Sequence, residues 1–255
     1  MHSLPDFHVI KVKELCHRYA SRLAVDHLSF QIKAGTIFGL IGPNGAGKST
    51  TIKMLTTLLP ITSGLAQVNG FDVSLQPQKV RQTIGYVPQQ LSANGELTGY
   101  ENLLLSAKLY GLLKPERTER IEEVLHFMQL YAFKDQLVSS YSGGMARTLE
   151  IGQALLHRPP LLFLDEPTVG LDPFARKTIW RYLKKLNEQK GMAILITTHD
   201  MEEAETLCDQ LALFHNGQIV AMDSPSNLKA KAGSKATLDD VFILHTGNSL
   251  KEGQF

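Results

Sequence analysis

The sequence predicts an α/β fold: a mainly parallel sheet, a β region ahead of it, and a helical subdomain inserted into it. Three observations carry that prediction. Short continuous apolar runs, "LLFL" (Leu161–Leu164), "AILI" (Ala193–Ile196) and "LALF" (Leu211–Phe214), have the form of strands buried on both faces. Segments of helical period separate them, the alternation that builds a parallel sheet. Between Leu97 and Leu156 the helical pattern continues without a strand candidate, as an insertion would.

The elements follow in order. From Val9 to Leu40 apolar and polar residues alternate, so "VIKVKEL" and "LSFQIKAGTIFGLIG" read as strands with a glycine turn at Ala34-Gly35. After Gly42 the spacing becomes helical, with Ile52, Leu55, Leu58 and Leu59 on one side. In the insert, "TGYENLLLSAKLYGLL" and "PERTERIEEVLHFMQL" are helices, the second with an apolar stripe at Ile121, Val124, Leu125 and Met128. Ile179, Leu183 and Leu186, with Trp180 beside them, mark a helix between the first two buried strands. Beyond about Asp223 the chain reads as peripheral: "SPSNLKAKAG", then a short helix opened by "TLDD". Thr237 caps that helix, with Asp240 at the third position as a variant capping box.

Composition excludes several classes. The chain is 43% hydrophobic with a formal charge of +1, and charges of both signs are mixed throughout, so no surface for nucleic acid or anionic lipid stands out. Cys16 and Cys208 are far apart and lack a CxxC or Cys/His cluster; they read as small core residues of a reducing compartment. "MHSLPDFHVIK" has no signal-like apolar stretch. The longest apolar runs are four or five residues, well short of the ~20 that cross a bilayer. Work at a membrane would need another chain to span it.

The chemistry begins at "GPNGAGKS", Gly42 to Ser49, which fits G-x-x-x-x-G-K-[ST] after an apolar strand and before a helix. The glycines let backbone N–H groups turn inward, and the helix start adds partial positive charge. Lys48 brings a point charge to the terminal phosphates, and Ser49 a hydroxyl to Mg²⁺. Nucleotide contacts are expected along Gly42, Pro43, Asn44, Gly45, Ala46, Gly47, Lys48, Ser49 and Thr50. "LLFLDEP" then sets Asp165 and Glu166 at the carboxyl end of a strand, where ligands of α/β sheets bind. Asp165 suits Mg²⁺, and Glu166 suits polarising an attacking water.

Together these residues resemble the nucleotide-binding subunit of an ATP-binding cassette (ABC) transporter, over nearly the whole chain. The resemblance implies a P-loop NTPase core with an N-terminal antiparallel β subdomain. It also implies an ATPase domain over 1–225, its helical insertion at about 90–156, and a short tail over 226–255. It implies that Tyr19 stacks on adenine and that Gln89, in "IGYVPQQ", senses Mg²⁺ and the γ-phosphate and hinges the insert. His199, in "ITTHD", would touch the γ-phosphate. Asp172, in "VGLDP", would lie in the segment that crosses a dimer. The metal set would be Ser49, Gln89 and Asp165; the catalytic set Glu166, His199 and Gln89.

"YSGGM" falls where this family has its signature turn. Ser142 can cap the helix that follows, while Gly143 and Gly144 leave N–H groups open to an anion; Met145, Leu149, Gly152 and Leu156 share one face of that helix. In the family this turn binds the ATP of the other protomer, so the resemblance implies two-fold pairing with each nucleotide shared. It further implies a separate transmembrane permease subunit, a second copy or a paralogous ATPase as partner, and a peripheral place on the cytoplasmic face of the membrane. The permease would dock on the insert near Gln89 to Gly111. Tyr141 and Met145 replace the commoner Leu and Gln, and the spelling is similar to the daunorubicin-resistance-like branch that exports drugs, lipids and polysaccharides. Ala146, Thr148, Gly152 and Gln153 also depart from the usual run, and "TLDDVF" is similar to that branch's ending. The alternative reading is a cassette ATPase acting on nucleic acid or ribosomes. Long coiled-coil insertions, zinc cysteines or a second cassette would mark it, and none is seen. A GTPase would carry N-K-x-D, which is absent.

Overall fold

Two sheets form from two kinds of apolar pattern. In the computed structural model, which describes residues 7–233 and 235–247, alternating strands make the first sheet. β1 (His8–Tyr19) pairs antiparallel with β2 (Arg22–Lys33) on one side and with β4 (Ser63–Val68) on the other, and β5 (Phe71–Asp72) completes the order β2-β1-β4-β5. Register shifts in the β1–β2 ribbon coincide with positive φ at Glu14 (49°) and His27 (49°), bulges that bend it. The start of the chain read for a signal, up to Asp6, and the end of the expected tail, 248–255, lie outside the described residues.

The second sheet is built from continuously buried strands. β3 (Ile37–Ile41), β6 (Ile84–Val87), β7 (Leu161–Asp165), β8 (Ala193–Thr198) and β9 (Gln210–His215) run parallel, and β10 (Gln218–Asp223) closes the edge antiparallel to β9. Their order is β10-β9-β3-β8-β7-β6. The stretch "LSFQIKAGTIFGLIG" therefore divides between sheets: β2 ends at Lys33, Gly35 turns the chain at φ 70°, and β3 enters the sheet centre with every residue buried. Registers Ile41↔Thr198 and Asp165↔Thr197 bring the carboxyl ends of β3, β7 and β8 to one edge.

Helix boundaries follow from local hydrogen bonding. α1 (Lys48–Leu55) stops before the expected Leu58 and Leu59. Thr57 takes φ 65°, and the N–H groups of Leu58 and Leu59 both donate to the Lys53 carbonyl (2.8 and 3.0 Å), which closes the last turn. Leu58 is left exposed. After the short α2 (Pro77–Gln82) comes the insert, α3 (Gly99–Leu109), α4 (Lys114–Phe127) and α5 (Gly143–Leu155). The stripe Ile121, Val124, Leu125 and Met128 is buried as expected. A Cβ on Gly152 would lie 2.8 Å from Val124 Cγ1, so α4 and α5 approach more closely than alanine would permit. Gln153 donates to Ser106 Oγ at 2.9 Å. Gly152 and Gln153 thus both serve packing within the insert.

α6 (Pro173–Lys190) buries Ile179, Trp180, Leu183 and Leu186. α7 (Met201–Leu207) follows β8, and α8 (Pro225–Ala232) and α9 (Leu238–Thr246) end the described chain. The capping box at α9 is present, with Asp240 N–H donating to Thr237 Oγ1 (3.2 Å) and Thr237 N–H to Asp240 Oδ2 (2.8 Å). Leu228, Leu238, Val241 and Phe242 dock these last helices onto the same apolar core as the insert. Cys16 and Cys208 are buried and unpaired. No helix among the described residues is long and apolar enough to cross a membrane.

Glu203, on α7, accepts from Thr168 Oγ1 and Trp180 Nε1 at 2.8 Å each, and burial holds its carboxyl above the usual range. Above the ordinary carboxyl pKa of about 4.3 the unfolded chain releases this proton while the folded chain keeps it, so stability falls with rising pH until the folded pKa is passed. Glu203→Gln should therefore raise Tm at pH 7, and calorimetry down to about pH 4 should find the gain fading as the unfolded carboxyl becomes protonated.

Candidate nucleotide site

The loop after β3 is shaped by close approach to neighbouring strands. Gly47 sits at φ 110°, and a Cβ there would lie 2.5 Å from the Ala24 carbonyl oxygen. The loop leads directly into α1, so the loop and the helix start border the same space. That space is a cavity of about 320 Å³ lined by Pro43 to Thr50, with Tyr19, Gln89 and Glu166 on its other walls. Tyr19 is 45% exposed, its ring set against His17 at 4.4 Å between centroids. His17 Nδ1 donates to the Pro60 carbonyl at 2.9 Å, which fixes the ring Tyr19 rests on.

Buried charge converges below the loop. Lys48 is 4% exposed, and its Nζ donates to the carbonyls of Gly42 (2.6 Å) and Pro43 (3.2 Å) and pairs with Glu166 Oε1 at 3.2 Å. Burial lowers the Lys48 ammonium from its ordinary pKa, against the pull of Glu166. Ser49 Oγ donates to Asp165 Oδ1 at 2.9 Å, and Thr197 Oγ1 donates to the same oxygen at 2.6 Å.

Glu166 takes φ 50°, in the left-handed region unusual for a side chain of its size. Its N–H donates to the carbonyl (3.1 Å) and hydroxyl (3.0 Å) of Thr197, holding the strained residue to β8. The side chain reaches His199 Nδ1, which donates to Oε2 at 2.7 Å. Burial opposes ionisation of Glu166, but the His199 hydrogen bond and the Lys48 charge outweigh it and hold the carboxyl below its ordinary range. The same hydrogen bond raises His199.

The expected residues therefore fall into two groups. Tyr19, Gly42 to Thr50, Gln89, Asp165, Glu166 and His199 surround the cavity or bond to its walls. Ser142, Gly144 and Asp172 line a different cavity, of about 200 Å³. Ser142 caps α5 by accepting from Met145 N–H at 3.2 Å, and Gly143 is exposed beside it. Asp172 caps α6, accepting from Phe174 and Ala175 N–H at 2.9 and 3.0 Å. A Cβ on Gly144 would meet Ala175 Cβ at 2.6 Å.

Two residues were not expected from the sequence. Arg22 lines the cavity and donates to the Gly45 carbonyl at 3.2 Å; standing just past the turn after Tyr19, it carries no motif. Thr197 had a legible signal, a hydroxyl inside the buried run "AILITT".

The family profile described as ABC transporter matches residues 25–169, more than half of the chain. The protein belongs to the ABC transporter family. The cassette is 40% identical over 244 residues to the linearmycin resistance ATP-binding protein LnrL of Bacillus subtilis, covering 96% of this chain and 76% of that protein. It is 40% identical over 225 residues to the daunorubicin/doxorubicin resistance ATP-binding protein DrrA of Streptomyces peucetius, covering 88% and 68%. Against the probable multidrug ABC transporter ATP-binding protein YbhF of Escherichia coli it is 39% identical over 239 residues, 92% of this chain but 41% of that one. Among solved structures, an ATP-binding subunit of an ABC transporter superposes with a TM-score of 0.82 at 32% identity, covering 93% and 99%. A dimeric cassette in a post-hydrolysis state with ADP and Pi gives 0.75 at 27% identity, covering 84% and 98%. This ABC cassette is an ATP-binding, ATP-hydrolysing subunit of a transporter.

Thr197→Val keeps the shape of the side chain and removes the hydroxyl that serves both Asp165 and the Glu166 N–H. Chemical denaturation should show a loss of about 1–3 kcal/mol, the cost of leaving buried polar groups short of a partner.

Proposed function

We propose that this cassette powers export of a drug-like or lipid cargo through a separate membrane-spanning permease, by closing as a dimer around two shared ATP molecules. The observation that carries the reading is the separation of two helix starts. The loop before α1 and the Ser142 turn before α5 line different cavities of one chain. A two-fold pairing sets each loop against the other chain's turn, twice over. The second chain is a copy of this one or a paralogous ATPase, and the dimeric cassette among its structural relatives supports the pairing.

Each residue then has a task. Tyr19 stacks on adenine, while Lys48 and loop N–H groups between Asn44 and Thr50 hold the phosphates. The Ser142 cap and the N–H groups of Gly143 and Gly144 meet the partner's nucleotide. Asp172 shapes the segment at the seam by capping α6. Ser49 Oγ and Asp165 Oδ1, 2.9 Å apart, are hard oxygen donors of the kind Mg²⁺ takes, and Gln89 lines the same cavity. When bound there, Mg²⁺ supplies neutralisation of phosphate charge. Glu166 takes the proton of the attacking water, with His199 and Lys48 keeping its carboxylate ionised. ATP favours the closed pair, and departure of its hydrolysis products lets the pair open, so the cycle shifts the permease between two facings.

The permease docks on the insert. Leu105 and the 79% exposed Leu109 border a cavity of about 280 Å³ between β6 and α3, which Ser92, just past Gln89, also lines. Anchored by the permease, the cassette sits peripherally on the cytoplasmic face. The resistance proteins among its relatives and the "YSGGM" spelling favour export. A formal charge of +1 favours no nucleic-acid partner.

Lys48→Ala and Ser142→Arg chains should each lack ATPase activity, and mixing them should restore part of it, because the mixed dimer retains one intact shared site. A mixture as inactive as its components refutes sharing. Glu166→Gln should lower kcat by about 100-fold or more while ATP binding, measured by calorimetry, is kept. Unchanged turnover in that variant would remove Glu166 as the base.

A further inference from the structure

α5 carries two charged side chains, Arg147 and Glu150, and both point inward. A surface helix ordinarily turns its charges to water. Here the two side chains are 4% and 2% exposed and pair at 2.9 Å. Burying such a pair is weak support for stability by itself, since desolvation offsets most of the attraction. Its remaining hydrogen bonds show what it holds. Arg147 donates to the carbonyls of Pro88 at 2.7 Å and Gln89 at 2.6 Å. Glu150 Oε1 accepts from Ala93 N–H at 3.1 Å, Ser92 Oγ at 3.0 Å, and Ser92 N–H. The cation faces carbonyls and the anion faces amides, so the pair matches the backbone polarity of 88–93 in one direction only.

Both ends of this connection matter to the site. Ser142 opens the helix that bears the pair, and Gln89 lies in the segment the pair grips. We propose that Arg147 and Glu150 are positioning residues, a clamp that makes the signature helix and the Gln89 segment one body. The inference rests on the roles proposed above for Ser142 and Gln89. When the Ser142 turn closes on the partner's nucleotide, the clamp carries Gln89 with it, so engagement across the seam and presentation of Gln89 are one motion. Glu150 also lines the cavity assigned to the permease, which puts the docking surface on the same body.

Two variants test this. Arg147→Lys keeps the charge and loses the two-pronged fork. The exchange Arg147→Glu with Glu150→Arg keeps an ion pair and reverses its polarity against the segment. In both, ATPase kcat should fall about tenfold or more with KM for ATP within about twofold, because the loop at Lys48 is untouched. Hydrogen exchange at Ser92 and Ala93 should quicken by about tenfold while β7 and β8 keep wild-type protection. A pair that serves only helix stability would be restored by the exchange of charges. Wild-type kcat in the exchanged protein, or unaltered hydrogen exchange at Ser92 and Ala93, overturns the clamp. Should the exchanged protein not fold, Arg147→Lys decides by the same two readouts. If the wild-type chain turns over no ATP, the proposed function fails on its own, and hydrogen exchange still decides the clamp.

Discussion

The constraint behind this site is the presence of two ionisable carboxyls, Asp165 and Glu166, at 2% and 3% exposure on the end of a buried strand. Unpartnered acids there would cost several kcal/mol or lose their charge. Their partners therefore come from two neighbouring strand ends: Lys48 and Ser49 from the first turn of α1, after β3, Thr197 from β8 and His199 just past it. Parallel register is what makes that supply possible, because it delivers those ends to one edge. The strained φ of Glu166 belongs to the same arrangement, since two bonds to Thr197 hold the residue where it meets both Lys48 and His199.

The helical insert is fastened by the same means, polar side chains bonded to backbone. Asn102, on α3, accepts from Asn94 N–H at 2.9 Å and donates to the Asn94 and Thr98 carbonyls at 2.9 and 3.0 Å. With Arg147 and Glu150 taking the preceding residues, the connection from β6 into the insert has side-chain partners along most of its length. Arg120, on α4, donates to the Leu155 and Leu156 carbonyls at 3.0 and 2.9 Å, closing the far end of α5. A chain path that leaves the sheet and returns to it is thus given definite geometry without a strand.

Much of this was legible in the residues. β7, β8 and β9 declared themselves because strands buried on both faces leave unbroken apolar runs. The phosphate loop, the Ser142 cap and the Thr237 box each depend on side chains within a few positions of one another. What escaped reading depends on distant partners. β6 is a short strand holding a glycine and a tyrosine, and only pairing with β7 makes it a strand. β4 and β10 are recognisable by the strands they join rather than by their own pattern. Leu58 and Leu59 continued the helical spacing of α1, whereas backbone bonds to Lys53 ended it. Thr197 could be named as buried from its neighbours, yet the Asp165 and Glu166 groups that its hydroxyl serves lie on a different strand, far away in the chain.

Position 144 joins two demands in one missing atom. The proposed function asks glycine there to keep a turn open to an anion; independently of that role, the start of α6 rests against it, with Ala175 filling the space a methyl would need. Glycine is therefore dictated by the isolated subunit's own interior before any nucleotide arrives. An inactive variant at this position would resemble a severed phosphate contact, when the first injury is two helices prised apart. Only a comparison of the unliganded subunits would separate those injuries.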